Sequence, residues 1–389
     1  MSTEDEVADG QRSMAGSPSA DTDSQGSSAG SAEKNVEISW FGALCDDDYE
    51  FLGVPDPSLQ SSWSHCSDIV KTADRLGYDN VLLPSGYQLG MDSTSFAAAV
   101  ATHTEQIQLL LAVRMGEMWL PQLARQLATI DQMANGRLTI NIISSDIPGA
   151  PLESEPRYQR TREWMTVLRA LLNGESIDFH GDFVDLQVDP PRMRTVSGKC
   201  PPFYFGGFSP AAKDTAAEHA DVFLTWPDTV AGVAETVADM KNQAAGYGRT
   251  MNYGLRAHVI VRETEAAARE AATRLLSKLD LDEGEKIRQK SLDTASAGVA
   301  RQNELRDAAE DDGFVEENLW TGVGRARSGA GAAIVGDPDQ VLAKLRAYQA
   351  VGVGAFILSG YTHVAEADLF AEHVLANIDH GPLYEGSST

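Results

Sequence analysis

Two side chains capable of charge and proton chemistry interrupt an apolar, β-branched run over residues 254–264. Side chains alternate between the two faces of a strand, so Arg256 and His258 share one face and the apolar residues take the other. Burying an unpaired guanidinium costs several kcal/mol or more, so the face with Arg256 must meet an anion, a water-filled cavity or a carboxylate. The sequence therefore predicts either an anion-binding strand or an internal salt bridge. For His258 the alternative to a chemical role is a core histidine with a satisfied ring.

A candidate phosphate site follows the apolar run at 203–205. Gly206 and Gly207 end a predicted strand, and Ser209 and Pro210 are residue types typical of a helix cap and a first helical turn. Free backbone N–H groups at a helix start bind anions, and a glycine pair lets a phosphate approach them closely. The alternative interpretation is an ordinary capped helix.

The glycine-rich stretch GVGRARSGAG at 322–331 carries two cations, Arg325 and Arg327. It lacks the Gly-Lys-Ser/Thr ending of a phosphate-binding loop, and its glycines do not follow a strand with the dinucleotide-binding spacing. We interpret it as a hinge that carries the two arginines over a site able to open and close. The alternative is a loop that is simply rich in glycine.

Other kinds of catalytic site find no support in the residue pattern. Cys45, Cys66 and Cys200 are odd in number and far apart, so neither a disulfide framework nor a zinc site is indicated. His, Asp and Glu show no metal-ligand spacing, and no nucleophile elbow or Ser/His/Asp order is present, which disfavours metal chemistry and hydrolysis. The remaining set suits a phosphorylated cofactor and a small anionic substrate.

The composition narrows the class of partner. The chain has 389 residues, with 57 acidic and 31 basic side chains and a formal net charge of -26. So negative a protein repels phosphate backbones and anionic lipids, which argues against nucleic acid or membrane as a partner. No stretch approaches the roughly 18 to 20 apolar residues that span a bilayer, and the N-terminus lacks a signal pattern. We expect a soluble, cytoplasmic protein.

Short β-rich runs alternate with longer amphipathic helical patterns along most of the chain. Eight such strands are predicted: from residue 36, and at 80–84, 107–113, 138–144, 203–207, 222–226, 254–264 and 355–360. Eight strands and eight helices in alternation favour a closed (β/α)8 TIM barrel with insertions over an open doubly wound sheet. In such a barrel the active site lies at the C-terminal ends of the strands. The polar and aromatic residues predicted there are Trp40, Cys45, 84–87, Arg114, 144–146, 206–209, Thr225, Trp226, Arg256, His258, Tyr361 and His363.

The domain organisation follows from changes in composition. Residues 1–35 lack aromatic side chains and are rich in Ser, Gly, Ala, Asp and Glu, which predicts a disordered acidic tail. We expect one barrel domain over 36–380 and a flexible C-terminus over 381–389. Two insertions stand out: 174–202, predicted to be a small hairpin, and about 280–333, predicted to be a mobile lid or, alternatively, a solvated surface insertion.

Several segments together resemble the reduced-FMN-dependent alkanesulfonate monooxygenases of the bacterial luciferase-like superfamily. The resemblance covers about 36–380 and is carried by ADRLGYDNVLLPSG, ARQLATIDQMANGRLTINIIS, YFGGFSPAAKDTAAEHADVFLTW, GLRAHVIVRET, NLWTGVGRARSGAGAAIVG and ILSGYTH. It implies a two-component enzyme that receives reduced FMN from a separate NAD(P)H-dependent flavin reductase. Such an enzyme uses O2 to cleave the C–S bond of a small anionic organosulfur substrate, giving an aldehyde and sulfite. We also expect a homo-oligomer.

The same resemblance implies roles for individual residues. Arg256, His258 and Tyr361 match the family's active-site arginine, histidine and tyrosine, and Arg327 matches the arginine of its mobile loop. The remaining matches are Trp226 as an aromatic wall residue, and Tyr158, Ser209 and Ser144 around the flavin phosphate, to which the candidate phosphate site above adds Gly206 and Gly207. Two departures concern the substrate: no cysteine follows LLPSG, and the first strand continues into Cys45 and a run of aspartates.

Two other functions stay open at this point. One is a flavin or deazaflavin oxidoreductase of the same fold that acts on a sulfone or another small molecule. The other is a barrel that binds flavin without catalysis. The combination of Arg256, His258 and Tyr361 argues against the barrel without catalysis, and the other oxidoreductase stays open.

Overall fold

The structure, a computed structural model, describes residues 36–87, 90–289 and 296–385. The predicted disordered tail at 1–35 lies outside these residues, as do 290–295 of the predicted lid and 386–389 of the predicted flexible C-terminus.

Thirteen β-strands occur in the described part of the chain. They are β1 (Glu37–Phe41), β2 (Asn80–Leu83), β3 (Gln108–Arg114), β4 (Leu138–Ile143), β5 (Ile177–His180), β6 (Asp185–Val188), β7 (Phe203–Gly206), β8 (Val222–Thr225), β9 (Asn252–Val261), β10 (Phe314–Glu316), β11 (Leu319–Trp320), β12 (Ala333–Gly336) and β13 (Ala355–Ser359).

Eight of these strands form a closed parallel barrel. Their order around the barrel is β1, β2, β3, β4, β7, β8, β9 and β13, and the β13–β1 pairing completes the circle. Strands of such a barrel are buried on both faces, which is why they are nearly continuous apolar runs; all seven residues of β3, for example, are buried. The predicted (β/α)8 barrel is confirmed.

Eleven α-helices accompany the strands in the described residues. They are α1 (Trp63–Leu76), α2 (Ser93–Val100), α3 (Leu120–Met133), α4 (Ser154–Asn173), α5 (Pro210–His219), α6 (Val230–Gly246), α7 (Glu265–Leu276), α8 (Leu281–Gln289), α9 (Ala297–Ala308), α10 (Pro338–Ala350) and α11 (His363–His373). The predicted helices correspond to α1 to α7 and α10. The helix after the last strand, α11, is an addition to the predicted set.

The first insertion is a hairpin, as the sequence predicts. β5 and β6 pair antiparallel. The buried carboxylate of Glu163 on α4 accepts hydrogen bonds from the backbone N–H groups of Asp182 (2.9 Å), Phe183 (2.8 Å) and Val184 (2.9 Å). One side chain of a barrel helix thus fixes the turn of the hairpin.

The second insertion contains regular structure that the sequence analysis did not predict. α8, α9, β10 and β11 lie within it, and β12 follows it. β12 pairs parallel with the C-terminal half of β9, with Ala333 opposite His258. The end of the insertion is therefore held directly beside the strand that carries Arg256 and His258.

Paired polar groups fill the N-terminal end of the barrel. Glu37 is fully buried, and its carboxylate accepts hydrogen bonds from Tyr204 Oη (3.0 and 3.1 Å), Ser39 Oγ (3.1 Å) and the Leu383 N–H (3.2 Å). Desolvation by burial outweighs these bonds and raises the pKa of Glu37 to about 7.

The same end is closed by Asp221 and the segment 381–385. The Asp221 carboxylate pairs with Arg169 (2.9 Å) and Arg249 (3.2 Å). The Tyr384 carbonyl accepts a hydrogen bond from Gln108 Nε2 (2.6 Å), and its hydroxyl donates to the Asp221 carbonyl (3.2 Å). The part of the predicted C-terminus that the structure describes therefore bonds to the barrel.

Candidate active site

Two cavities open at the C-terminal ends of the barrel strands. The first, which we call the Gly207 cavity, has a volume of about 420 Å³. The second, which we call the Asp47 cavity, has a volume of about 370 Å³. The predicted site residues in the lining of the Gly207 cavity are Ser144, Tyr158, Gly206, Gly207, Ser209, Trp226 and Arg256. The Asp47 cavity contains Arg327.

The start of α5 forms one wall of the Gly207 cavity. Ser209 caps this helix, its Oγ accepting a hydrogen bond from the Ala212 N–H (3.2 Å), and Pro210 occupies the first turn. A Cβ at Gly206 would lie 2.1 Å from the Leu224 carbonyl oxygen, and one at Gly207 would lie 2.5 Å from Ala212 Cβ. Both glycines are therefore required by close packing, and they leave the helix start open to an anion.

Side chains from α4 face this helix start. Tyr158 and Arg157 line the cavity, and the Tyr158 hydroxyl would lie 3.5 Å from a Cβ at Gly207. Ser144 is held by Thr161, whose hydroxyl donates to Ser144 Oγ (2.7 Å). Sequence reasoning missed Arg157, although it directly precedes Tyr158 and supplies a cation at a predicted phosphate site.

Arg256 is a buried cation with neutral partners only. Its guanidinium donates to Ser359 Oγ (2.8 Å) and to the carbonyl oxygens of Ala257 (2.6 Å) and Ile357 (3.5 Å). It lies 4.5 Å from the centre of the Phe41 ring, and it makes no ion pair with a carboxylate of the described residues. Burial, followed by the charge of Arg327, lowers the pKa of Arg256 to about 9, so it stays protonated at neutral pH.

His258 lies on the same strand face and is neutral. Its Nδ1 lies 2.9 Å from Ser359 Oγ, while its Nε2 has no hydrogen-bond partner in the part of the chain that the structure describes. Burial and the nearby charge of Arg256 lower the pKa of His258 well below its ordinary value. The ring centre lies 5.1 Å from that of Tyr361.

Asp47 connects the remaining predicted residues. Its carboxylate accepts hydrogen bonds from Arg327 Nε (2.8 Å) and the Tyr361 hydroxyl (2.6 Å), and its carbonyl oxygen lies 2.9 Å from His363 Nε2. Burial alone would lower the pKa of Arg327, but the charge of Asp47 raises it above the ordinary value. Burial raises the pKa of Tyr361 well above its ordinary range, and Asp47 adds to the effect, so the phenol stays protonated.

The loop that carries Asp47 is anchored by its neighbour. The Asp48 carboxylate accepts a hydrogen bond from the His363 backbone N–H (3.1 Å) and lies 3.0 Å from His65 Nε2. Cys45 lines the Asp47 cavity, and burial raises the pKa of its thiol to about 12, so it is no nucleophile at neutral pH. The run of aspartates after β1 was visible in the sequence, but the role of Asp47 as a bridge was not.

Helix α9 of the second insertion covers the Gly207 cavity. A Cβ at Gly298 would lie 2.7 Å from the Trp226 ring and 2.9 Å from that of Phe208, so only glycine lets the helix lie flat against both rings. Arg301 pairs with Asp228 through two hydrogen bonds (2.7 and 2.9 Å) and fixes the helix to the loop after β8.

Other residues predicted at the rim have different surroundings. Arg114 donates to Ser145 Oγ and to the Ser85 carbonyl (2.8 Å), which ties three rim loops together. Arg325 is exposed and, unlike Arg327, lines neither cavity.

Across the described ranges, no cluster of three or more His, Cys, Asp or Glu side chains could hold a metal ion. Within the same ranges, no helix has the length and apolar character that a bilayer crossing requires.

Comparison with known proteins places this geometry in a family. The luciferase-like monooxygenase family model matches residues 51–355. A sulfoquinovose monooxygenase of Novosphingobium aromaticivorans is 64% identical over 359 residues, covering 90% of this chain and 99% of that protein. A sulfoquinovose monooxygenase of Agrobacterium fabrum is 49% identical over 343 residues, covering 87% of this chain and 89% of that protein.

Solved structures agree on the fold. The EDTA monooxygenase of a Chelativorans species superimposes with a TM-score of 0.72 at 16% identity, covering 91% of this chain and 97% of that one. The barrel, the two cavities at its C-terminal end and the extent of the sequence matches lead to one assignment. This chain is an enzyme that belongs to the luciferase-like monooxygenase family.

Proposed function

We propose that this enzyme uses reduced FMN and O2 to cleave the C–S bond of sulfoquinovose, releasing sulfite and an aldehyde. Arg256 carries the proposal: a buried cation that lines the Gly207 cavity and has neutral partners only calls for an anion to complete its surroundings. A sulfonate is a permanent anion, and guanidinium groups bind such anions through charge-assisted hydrogen bonds.

The Gly207 cavity fits the phosphate end of FMN. Gly206 and Gly207 leave the start of α5 open, Ser209 supplies a hydroxyl, and Tyr158 and Arg157 face them from α4. A helix start with a nearby cation is a general phosphate site. Reduced FMN, when bound, supplies the electrons that activate O2. We expect it from a separate NAD(P)H-dependent reductase.

The nature of the substrate rests on the relatives. Two proteins that match this chain over most of its length are named sulfoquinovose monooxygenases, which favours a sugar sulfonate over the simple alkanesulfonate predicted from the sequence alone. Sulfoquinovose is a glucose whose C6 hydroxyl is replaced by a sulfonate. We place this sulfonate near Arg256 and Arg327, whose guanidinium groups lie over the same Phe41 ring.

His258 and Tyr361 hold protons at defined atoms. Ser359 Oγ accepts a hydrogen bond from Arg256, so its own proton is available to His258 Nδ1. A neutral His258 then carries its proton on Nε2, the atom without a partner among the described residues. We assign His258 Nε2 as a donor to the reacting oxygen atoms and Tyr361 as a protonated phenol that orients Asp47. Helix α9 excludes water from the cavity.

The experiment combines the purified chain with a flavin reductase, NADH, FMN and O2 and measures sulfite release. We expect sulfite from sulfoquinovose and much less from octanesulfonate or dimethyl sulfone. No sulfite from sulfoquinovose would refute the proposal, and a strong preference for octanesulfonate would restore the simpler alkanesulfonate. The homo-oligomer, the cytoplasmic location and the mobility of the 280–333 lid remain predictions.

A further inference from the structure

We infer that Asp47 is a specificity residue that lets this site bind a monoanionic sugar sulfonate and reject the dianionic phosphate ester of the same sugar. This inference rests on the proposed function, because it assumes that a sulfonate is held at Arg256 and Arg327. Glucose 6-phosphate differs from sulfoquinovose by a bridging oxygen at C6 and, at neutral pH, by one additional negative charge. Charge therefore offers an enzyme for sulfoquinovose one means of discrimination.

The charges around Arg256 and Arg327 can be counted from the structure. Arg256 and Arg327 lie over one Phe41 ring, with their Cζ atoms 4.5 and 5.7 Å from its centre. Asp47 contacts Arg327 directly, with 2.8 Å between its carboxylate and Nε. Among these three groups alone, the two cations and the one carboxylate in contact with them leave a single net positive charge, which matches one sulfonate. A phosphate dianion would leave an excess negative charge in a poorly solvated site.

The other titratable groups around the two guanidiniums add no positive charge. Those packed nearest are Cys45, Asp46, Asp48, Tyr49, His258, Tyr361 and His363. Burial lowers the pKa of both histidines, and the cysteine and the two phenols hold their protons. The aspartates that flank Asp47 bond to Ser61, His65 and the His363 N–H, and they can only strengthen the rejection of a dianion.

Asp47 is held in place by more than its charge. Its carboxylate accepts a hydrogen bond from the Tyr361 hydroxyl (2.6 Å), and its side chain is 13% exposed. The neighbouring Asp48 fixes the backbone of the loop through the His363 N–H. An Asn at position 47 can keep the hydrogen bond from Arg327 Nε through its amide oxygen and donate from its amide nitrogen to the Tyr361 oxygen, while it removes the charge. Asp47→Asn thus separates the charge from the shape of the loop.

The test measures binding of sulfoquinovose and glucose 6-phosphate to the full chain by calorimetry, separately from sulfite release. At pH 7.5 we expect the wild-type protein to bind sulfoquinovose at least about tenfold more tightly. Asp47→Asn should reduce this preference at least about tenfold, mainly by strengthening glucose 6-phosphate binding. Asp56→Asn is the matched control: its exposed carboxylate lines the same cavity without contacting either arginine, and we expect less than a twofold change.

A second part of the test varies the pH and can be carried out with the wild-type protein alone. A phosphate ester loses its second proton with a pKa near about 6, whereas a sulfonate stays monoanionic. Lowering the pH from 7.5 to 5.5 should therefore tighten glucose 6-phosphate binding to the wild-type protein at least about threefold and leave sulfoquinovose binding unchanged. In Asp47→Asn the glucose 6-phosphate trend should vanish or reverse.

The outcomes separate the two claims. Equal binding of both sugars by the wild-type protein at pH 7.5, or an unchanged preference in a folded Asp47→Asn variant, would overturn the role of Asp47. If Asp47→Asn does not fold, the wild-type pH arm decides. Binding that selects the monoanion without any sulfite release would instead refute the proposed reaction and support the charge discrimination.

Discussion

The two ends of the barrel treat their buried charges differently. At the N-terminal end, the carboxylate of Glu37 accepts several hydrogen bonds and Asp221 pairs with two arginines. At the C-terminal end, Arg256 has neutral partners only and His258 Nε2 has none among the described residues. Hydrogen-bonded and ion-paired polar groups stabilise a fold, whereas a buried charge without a counter-ion or a polar atom without a partner lowers stability and is retained where a ligand completes it. The difference distinguishes the end whose charges support the barrel from the end that holds the candidate active site.

Among substitutions at the two ends of the barrel, we expect the largest effect on catalysis at Arg256. Arg256→Met should lower kcat/KM for sulfite release at least about 100-fold, or about 3 kcal/mol, because the sulfonate loses its buried cation. The free energy of unfolding should stay the same or rise, since an unpaired buried charge is removed. Steady-state kinetics and urea unfolding of the same variant check both statements. Retained turnover together with lost stability would show that this charge is structural.

At the opposite end, Glu37→Gln should change stability and leave catalysis alone. The folded state raises the pKa of Glu37 from 4.5 to about 7, so it binds the proton more tightly than the unfolded state does. The resulting stability is present below about pH 4.5 and is lost as the pH rises through about 7, an effect of about 3 kcal/mol. Glu37→Gln, which stays neutral, should therefore be more stable than the wild type at pH 8 by up to about 3 kcal/mol and similar to it at pH 5.

Urea unfolding at pH 5, 6.5 and 8 measures this difference. Subtracting the two pH profiles removes the contribution of other titrating groups, such as His380, which pairs with Asp79 in both proteins. Parallel profiles would show that Glu37 is ionised in the folded state. A change in kcat/KM at pH 7.5 would break the separation of the two ends.

A smaller change, in this case a loss of stability, is expected for Asp221→Asn. The side chains of Asp221, Arg169 and Arg249 are between 21% and 31% exposed, so solvent screens the two ion pairs, and we expect a loss of about 1 to 2 kcal/mol. Thermal unfolding measures it, with Asp68→Asn, an exposed carboxylate on α1, as the control. Sulfite release per folded molecule should be unchanged.

We expect the smallest effect at Ser209, which both caps α5 and lines the Gly207 cavity. Ser209→Ala should cost about 1 kcal/mol of stability through the lost cap of α5, and it should weaken FMN binding several-fold through the lost hydroxyl. Thr264→Ala is the matched control, because Thr264 caps α7 in the same way, accepting from the Ala267 N–H at 3.2 Å, away from both cavities. Fluorescence titration with FMN compares the affinities of the two variants. An equal loss of affinity in Ser209→Ala and Thr264→Ala would show that the FMN phosphate binds elsewhere.

The barrel could be predicted because each of its strands and helices is specified by a short stretch of sequence. Each barrel strand is a short apolar run buried on both faces, and each predicted helix carries apolar residues at three and four spacing, so the elements can be found one at a time. α8 and α9 were not predicted because their sequences are polar overall, and α9 also has little helical periodicity. β12 was not predicted either: its sequence AIVG closely follows the glycine-rich stretch at 322–331, and it becomes a strand by pairing with the C-terminal half of β9.

The candidate site was predictable only in part. The positions of Gly206, Gly207 and Ser209 follow from a strand that runs into a capped helix, which local sequence specifies. The contact between Asp47 and Arg327 joins residues 280 positions apart, and no periodicity reports it. Which acid among three consecutive aspartates faces an arginine depends on the course of the loop after β1. Sequence reasoning therefore predicted the cations and missed the carboxylate that contacts Arg327.

The pairing of β1 with β13 has a consequence for how the enzyme is made. The first strand of the barrel finds one of its two neighbours in the last, with Glu37 opposite Ala355. More than about 300 residues must therefore be synthesised before the barrel can close. Until then one edge of β1 has no partner strand. Contacts so distant along the chain form slowly, and open strand edges invite aggregation. Production of this enzyme should accordingly benefit from slow translation and abundant chaperones.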